Sequence, residues 1–120
     1  MNEVIKQQWL AALRSGEYDQ GRDRLRTDDG AFCCLGVLCD LHANATGSKW
    51  DSVDEDASYL GSETALPPAV QLWAELDSED GGKVRIGGDE PVWLAAHNDG
   101  DLTRAKRTFL EIADAIEVQL

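Results

Sequence analysis

The sequence predicts a small α+β fold, dominated by helices, in a single domain over residues 1–120. Three observations predict it. Apolar residues recur at helical spacing in several segments, only short stretches have the composition of strands, and the length suits one hydrophobic core. Hydrophobic residues make up 42% of the chain, which is too high for a disordered acidic tail. We therefore expect four to five helices and a few short strands.

The amino-terminal half contains two predicted helices. Asn2 can cap the first, over residues 2–14, in which apolar side chains recur at helical spacing and Gly16 marks the end. The second covers residues 33–44 and is apolar on every side, so we expect it to be buried. Between them, residues 22–27 and 31–33 are predicted to be short extended arms of a tight turn.

The carboxy-terminal half contains the remaining predicted elements. A proline pair opens a helix over residues 67–76, and residues 83–86 form a short strand candidate. Asp89 can cap a helix over residues 91–97. Thr108 begins a Thr-x-x-Glu capping box, which predicts the start of the last helix.

The charge of the chain is acidic and unevenly distributed. Against 11 Lys and Arg stand 23 Asp and Glu, a net charge of −12, which argues against general binding to DNA, RNA or anionic lipid. Residues 50–82 contain nine acids and no Lys or Arg. This stretch is either a solvated loop or a mimic of a nucleic-acid phosphate track.

Three arginines fall within five positions, at Arg22, Arg24 and Arg26. On an extended strand they would share one face, and arginine is the residue suited to bidentate contact with phosphate. Tyr18 and Trp50 lie in polar segments, where a ring beside arginines could stack on a nucleobase. The alternative is that the arginines form surface ion pairs with nearby carboxylates.

Cysteine and histidine side chains are further candidates for chemistry. Cys33, Cys34, Cys39 and His42 could in principle supply a zinc site or a nucleophile. A single cluster inside an apolar helix is more typical of buried, inert thiols, and we predict no metal and no cofactor. His97, followed by Asn and Asp, could act as an acid or base or simply end a helix.

The sequence contains no apolar run of the roughly 20 residues that a membrane span needs, and its start lacks the features of a signal peptide. Three cysteines within seven residues are odd in number, so we expect reduced thiols rather than disulfides. A cytoplasmic location is the expectation.

Several short signatures, taken in order, resemble those of a large group of small proteins carried by tailed bacteriophages and prophages. They are Trp9-Leu10-Ala11-Ala12-Leu13-Arg14-Ser15-Gly16-Glu17-Tyr18, Gln20-Gly21-Arg22, Leu25-Arg26, Phe32-Cys33-Cys34-Leu35-Gly36-Val37-Leu38-Cys39-Asp40-Leu41, Leu66-Pro67-Pro68, Asn98-Asp99 and Glu111-Ile112-Ala113-Asp114. The resemblance implies the cytoplasm of an infected bacterium as the setting. In that setting, small single-domain accessory proteins often counter host defence, by sequestering a nucleotide immune signal or by blocking a defence protein, and such a role is the expectation here.

Together these features predict a binding protein rather than an enzyme, which sequesters a small anionic, nucleotide-like ligand and forms a homo-oligomer. The predicted ligand-binding residues are Tyr18, Gln20, Gly21, Arg22, Arg24, Arg26, Asn98, Asp99 and Arg104. The three clustered arginines would hold phosphates, and the residues near position 98 would contact sugar or base. One alternative is an acidic inhibitor or nucleic-acid mimic that acts on a host defence protein through residues 51–80. Another is a small nucleotide hydrolase that uses His97.

Overall fold

Five helices and four short strands are formed by residues 1–53, 56–88 and 90–120, the part of the chain that the computed structural model describes. The elements in chain order are α1 (Glu3–Arg14), α2 (Cys34–Thr46), β1 (Asp51–Val53), β2 (Asp56–Ser58), α3 (Pro68–Ala74), β3 (Lys83–Val84), β4 (Val92–Trp93), α4 (Leu94–Asp99) and α5 (Phe109–Gln119). The strands pair as two antiparallel ribbons, β1 with β2 and β3 with β4. The predicted helix-dominated α+β class is confirmed.

Helix α2 lies at the centre of the fold, where it packs against α1, α3 and α4. Its side chains from Cys34 to Cys39 are fully buried, as expected of a helix that is apolar on every side. Gly36 is required there, because a Cβ at this position would lie 1.7 Å from the carbonyl oxygen of Leu25. The close approach holds the segment that carries the clustered arginines directly against α2.

The two terminal helices pack against each other and begin where local signals predict. The Asn2 side chain accepts a hydrogen bond from the Ile5 backbone N–H at 3.0 Å, which caps α1. At α5 both hydrogen bonds of the capping box between Thr108 and Glu111 are present. On the surface between the two helices, Arg14 contacts Asp114 at 2.8 Å.

The predicted helix over residues 91–97 begins later than expected. Val92 and Trp93 pair with β3 instead, and the helix starts only at Leu94, whose backbone N–H donates to the Gly82 carbonyl at 2.9 Å. Pairing with the preceding strand therefore overrides the local helical pattern. Its predicted cap, Asp89, lies outside the described residues.

The predicted strand over residues 83–86 is also shorter than expected. Beyond Val84 the backbone of Arg85 is paired by the side chain of Gln119, which donates to its carbonyl and accepts from its N–H, both at 2.7 Å. A side chain from α5 thus takes the place of a strand partner. Among the described residues, the helices are too short or too polar for any of them to cross a membrane.

Candidate functional site

The segment 22–26, which we call the arginine segment, is extended only at its end. Asp23 adopts a left-handed conformation with φ 69°, so the chain bends and the three arginines do not alternate along one straight strand. Arg26 then pairs in an antiparallel bridge with Phe32, and a tight turn closes between Thr27 and Ala31. The turn is as predicted, but the extended arm expected over residues 22–27 is wrong, because the chain bends at residues 23–25.

Arg26 lies across two aromatic rings. Its guanidinium carbon is 5.3 Å from the ring centre of Phe32 and 5.7 Å from that of Trp50. Both distances fit cation–π contacts. No carboxylate among the described residues forms an ion pair with this guanidinium. Arg26 is therefore a positioned cation whose charge is not neutralised by the part of the chain that the structure describes.

The rings under Arg26 belong to an aromatic cluster fixed by one carboxylate. Tyr18 and Trp50 each meet Phe32 edge to face, with ring centres 5.1 and 5.8 Å apart. Asp40 accepts a hydrogen bond from the Tyr18 hydroxyl at 2.6 Å and from the Trp50 indole N–H at 3.0 Å. Burial and the hydrogen bond to Asp40 raise the pKa of Tyr18, so its hydroxyl stays protonated and donates at neutral pH.

Asn98 lies at the centre of a buried polar network. Its side-chain oxygen accepts from the Gln20 amide at 2.9 Å and from the Cys34 backbone N–H at 3.1 Å. Its amide nitrogen donates to the Gly21 carbonyl at 2.9 Å and to Asp99 at 3.0 Å. Because the side chain is fully buried and makes all four of its hydrogen bonds inside the protein, it has none left for a ligand.

The predicted roles of Gln20 and Gly21 change for the same reason. The Gln20 amide nitrogen also donates to the Arg107 carbonyl at 2.8 Å, and Gly21 is buried with its backbone N–H bonded to the Phe32 carbonyl at 2.7 Å. The network therefore ties the arginine segment to α2 and α4. We assign Asn98, Gln20 and Gly21 to the support of the site rather than to ligand contact.

The other two arginines of the arginine segment are partly enclosed. Arg22 is half-buried, and its Nε is covered without a hydrogen-bond partner among the described residues. Arg24 is half-buried and partnered. The structure thus distinguishes the three members of the arginine segment, and Arg26 is the one held over aromatic rings.

Asp99 and Arg104 border a separate concavity of about 760 Å³ in the loop that follows α4. Arg104 lies 3.8 Å from Asp101, a weak ion pair. Asp99 accepts a hydrogen bond from the Asp23 backbone N–H at 3.0 Å, so the concavity adjoins the arginine segment. Among the predicted site residues, Tyr18 and Arg26 thus lie at the aromatic cluster, and Asp99 and Arg104 lie at the loop.

The histidine and cysteine side chains that are candidates for catalysis or metal binding are buried. His97 is 2% exposed, and its Nε2 lies 2.7 Å from the Val84 carbonyl oxygen, so it is not placed to exchange a proton with a ligand. Cys33, Cys34 and Cys39 are buried free thiols, and burial raises the pKa of Cys33 to about 11. No group of three metal-ligating side chains occurs within the described ranges.

Several acids of the stretch are exposed in the structure. Glu63, Glu75, Asp77 and Glu79 all face solvent, whereas Asp54 and Glu55 lie outside the described residues. The mimicry interpretation of residues 51–80 therefore stays a prediction.

Sequence reasoning missed two residues of the site, the ring of Phe32 and the carboxylate of Asp40. The sequence pattern places Phe32 in a turn arm and Asp40 in a buried helix, although a carboxylate at the polar edge of an otherwise apolar helix is a usable signal.

No curated protein and no solved structure matches the chain. A family model does match, over residues 1–120, and the chain belongs to the family described as Domain of unknown function (DUF8296).

Proposed function

We propose that this protein is a binding protein that holds a small anionic, nucleotide-like ligand without altering it. Arg26 contacts a phosphate, and the exposed part of Trp50 stacks on the base. The observation that carries the proposal is the position of the Arg26 guanidinium over Phe32 and Trp50, without a carboxylate partner among the described residues.

The position of Arg26 beside two rings favours binding of an anion. Cation–π contacts hold a guanidinium without occupying its N–H groups in ion pairs, so these groups remain available for two parallel hydrogen bonds to a phosphate. Because the side chain is already held by two rings, less rotamer entropy is lost when the ligand binds. A local cation of this kind can bind a small anion even though the whole chain carries a net charge of −12.

The neighbouring rings favour a nucleotide over inorganic phosphate. Trp50 is half-buried and its indole N–H is held by Asp40, so the ring is fixed in orientation. Stacking of a base on such a ring contributes about 1–3 kcal/mol. Asp40 acts as a positioning residue, because its two oxygens hold Tyr18 and Trp50 on either side of Phe32.

Storage rather than hydrolysis is favoured by the burial of the reactive groups. His97 and the three thiols are enclosed in the core, where burial separates them from a ligand at the surface. The resemblance to phage proteins suggests a host immune nucleotide as the ligand and the cytoplasm of the infected bacterium as the location. A chain with a radius of gyration of 13.2 Å has little interior to spare, so we propose that a homo-oligomer completes the site.

Calorimetric titration of cyclic dinucleotides, cyclic ADP-ribose isomers and AMP tests the proposal. Arg26→Gln is expected to weaken binding of the active nucleotide by about tenfold or more, roughly 1.4 kcal/mol. The matched control is Arg85→Gln, which removes the same charge from an exposed side chain and should change the affinity less than twofold.

The bound nucleotide should be recovered intact after the protein is denatured. Heat from none of the nucleotides would contradict the proposal, as would equal weakening by both arginine variants, since that would indicate diffuse charge attraction. Recovery of a cleaved product would favour the hydrolase alternative.

A further inference from the structure

A second surface lies away from the aromatic cluster, between the end of α3 and the β3–β4 ribbon. It is a groove of about 310 Å³, which we call the Trp93 groove. Its apolar lining comes from Met1, Leu76, Trp93 and Leu120, and its acidic lining from Glu75 and Asp77. The volume is at the lower end of the roughly 300–1,000 Å³ usual for ligand pockets, so it suits one or two side chains of a larger partner.

The floor of the groove exposes apolar surface. Trp93 is 38% exposed although it is a large aromatic residue, and Leu76 and Leu120 are only half-buried beside it. Gly82 forms part of the wall with φ 127°, a conformation that favours glycine, and a side chain there would meet Leu120 at the groove. A partner could therefore place an aliphatic side chain directly against Trp93.

The rim of the groove carries negative charge. Glu75 and Asp77 line it, and Glu79 and Asp80 follow within three residues in the same loop. The Glu75 carboxylate is oriented by a hydrogen bond from the Asn2 amide at 2.9 Å. Acids around an apolar floor complement a segment that alternates basic and aliphatic side chains.

Lys83 shows how a cation fits this surface. Its ammonium nitrogen lies 4.8 Å from the centre of the Trp93 ring, a cation–π contact within the protein itself. A lysine or arginine of a partner that binds at the rim nearby would be repelled by Lys83. Removal of Lys83 should therefore improve binding of a basic partner, whereas removal of the acids should weaken it.

We propose that the Trp93 groove is a docking site for a basic, amphipathic peptide segment of a partner protein, which inserts an aliphatic side chain against Trp93 and pairs its cations with Glu75 and Asp77. This surface is independent of the proposed nucleotide site. In this proposal a partner contacts the acidic residues at one groove rather than along the whole acidic stretch.

The test uses a short fluorescein-labelled peptide of alternating lysine and leucine, titrated with the full chain and followed by fluorescence anisotropy. Saturable binding that weakens steeply with added salt is expected. The double variant Glu75→Gln/Asp77→Asn should weaken binding by about tenfold. Glu75→Gln keeps an oxygen for Asn2, and circular dichroism checks that the fold is retained.

Three further measurements separate binding in the groove from general attraction between charges. Glu17→Gln/Asp28→Asn changes the net charge equally at exposed positions away from the groove and should alter the affinity less than twofold. Lys83→Gln should strengthen binding severalfold, and a peptide with serine in place of leucine should not bind. Equal weakening by the two acidic double variants, weaker binding after Lys83→Gln, or no binding to the unmodified protein would overturn the proposal.

Discussion

Replacement of Asn98 by alanine removes four hydrogen bonds from the interior, and its cost can be worked out from their partners. The Gln20 amide and the Asp99 carboxylate are partly exposed and can turn to water. The Cys34 backbone N–H and the Gly21 carbonyl are buried and stay unpaired. Two such groups at roughly 1–3 kcal/mol each lower the free energy of unfolding by about 4 kcal/mol. That is a large share of the ~5–15 kcal/mol typical of a domain.

Urea unfolding at 25 °C, followed by tryptophan fluorescence, measures the loss. The matched control is Gln7→Ala, which removes an exposed amide that donates to Glu3 at 2.9 Å and should cost less than about 0.5 kcal/mol. If Asn98→Ala lowered the free energy of unfolding by under about 1 kcal/mol, or by no more than Gln7→Ala, the structural role of Asn98 would be refuted. Contact of Asn98 with a ligand would then be the interpretation to test.

Further predictions concern packing, pH and thiol reactivity. Gly36→Ala should prevent folding or cost more than about 3 kcal/mol, because its Cβ meets the Leu25 carbonyl, whereas Gly88→Ala, in open space, should stay within about 0.5 kcal/mol in the same urea assay. Burial lowers the pKa of His42 below its usual 6.5, so the unfolded chain binds more protons there, and urea titrations should show stability falling as the pH drops from about 6.5, with the slope lost in His42→Gln. With the pKa of Cys33 near 11 and its thiol buried, the native protein should not react with a chromogenic disulfide at pH 8, while all three cysteines react in guanidinium; fast native reaction would contradict the burial.

The helices that local signals define were predictable from the sequence. The Asn2 cap and the Thr108 capping box act within one turn, so their effect needs no knowledge of the rest of the fold. The helix expected over residues 91–97 begins only at Leu94, because Val92 and Trp93 pair with a strand that precedes them in sequence, a competition that the helical pattern does not reveal. Similarly, the left-handed Asp23 breaks the alternation assumed for the arginine segment.

The candidate site was predictable only in part. Arg26 and Tyr18 were identified from charge and aromaticity, but their contact through Phe32 depends on how the turn folds back. The partners of Asn98 are distant in sequence, with Gln20 separated from it by 78 positions. Composition alone could not show that these polar side chains satisfy each other in the core instead of facing a ligand.

The indole N–H resonance of Trp50 in a ¹⁵N-correlated NMR spectrum tests nucleotide binding at Arg26 most directly. The four tryptophans give separate indole signals, and Trp50→Phe identifies the one that matters. Titration with the nucleotide that gives heat in calorimetry should shift the Trp50 signal progressively and leave that of the buried Trp9 in place. In Arg26→Gln the midpoint of this shift should move to a nucleotide concentration about tenfold higher. A Trp50 signal that stays fixed while the nucleotide binds would contradict the account.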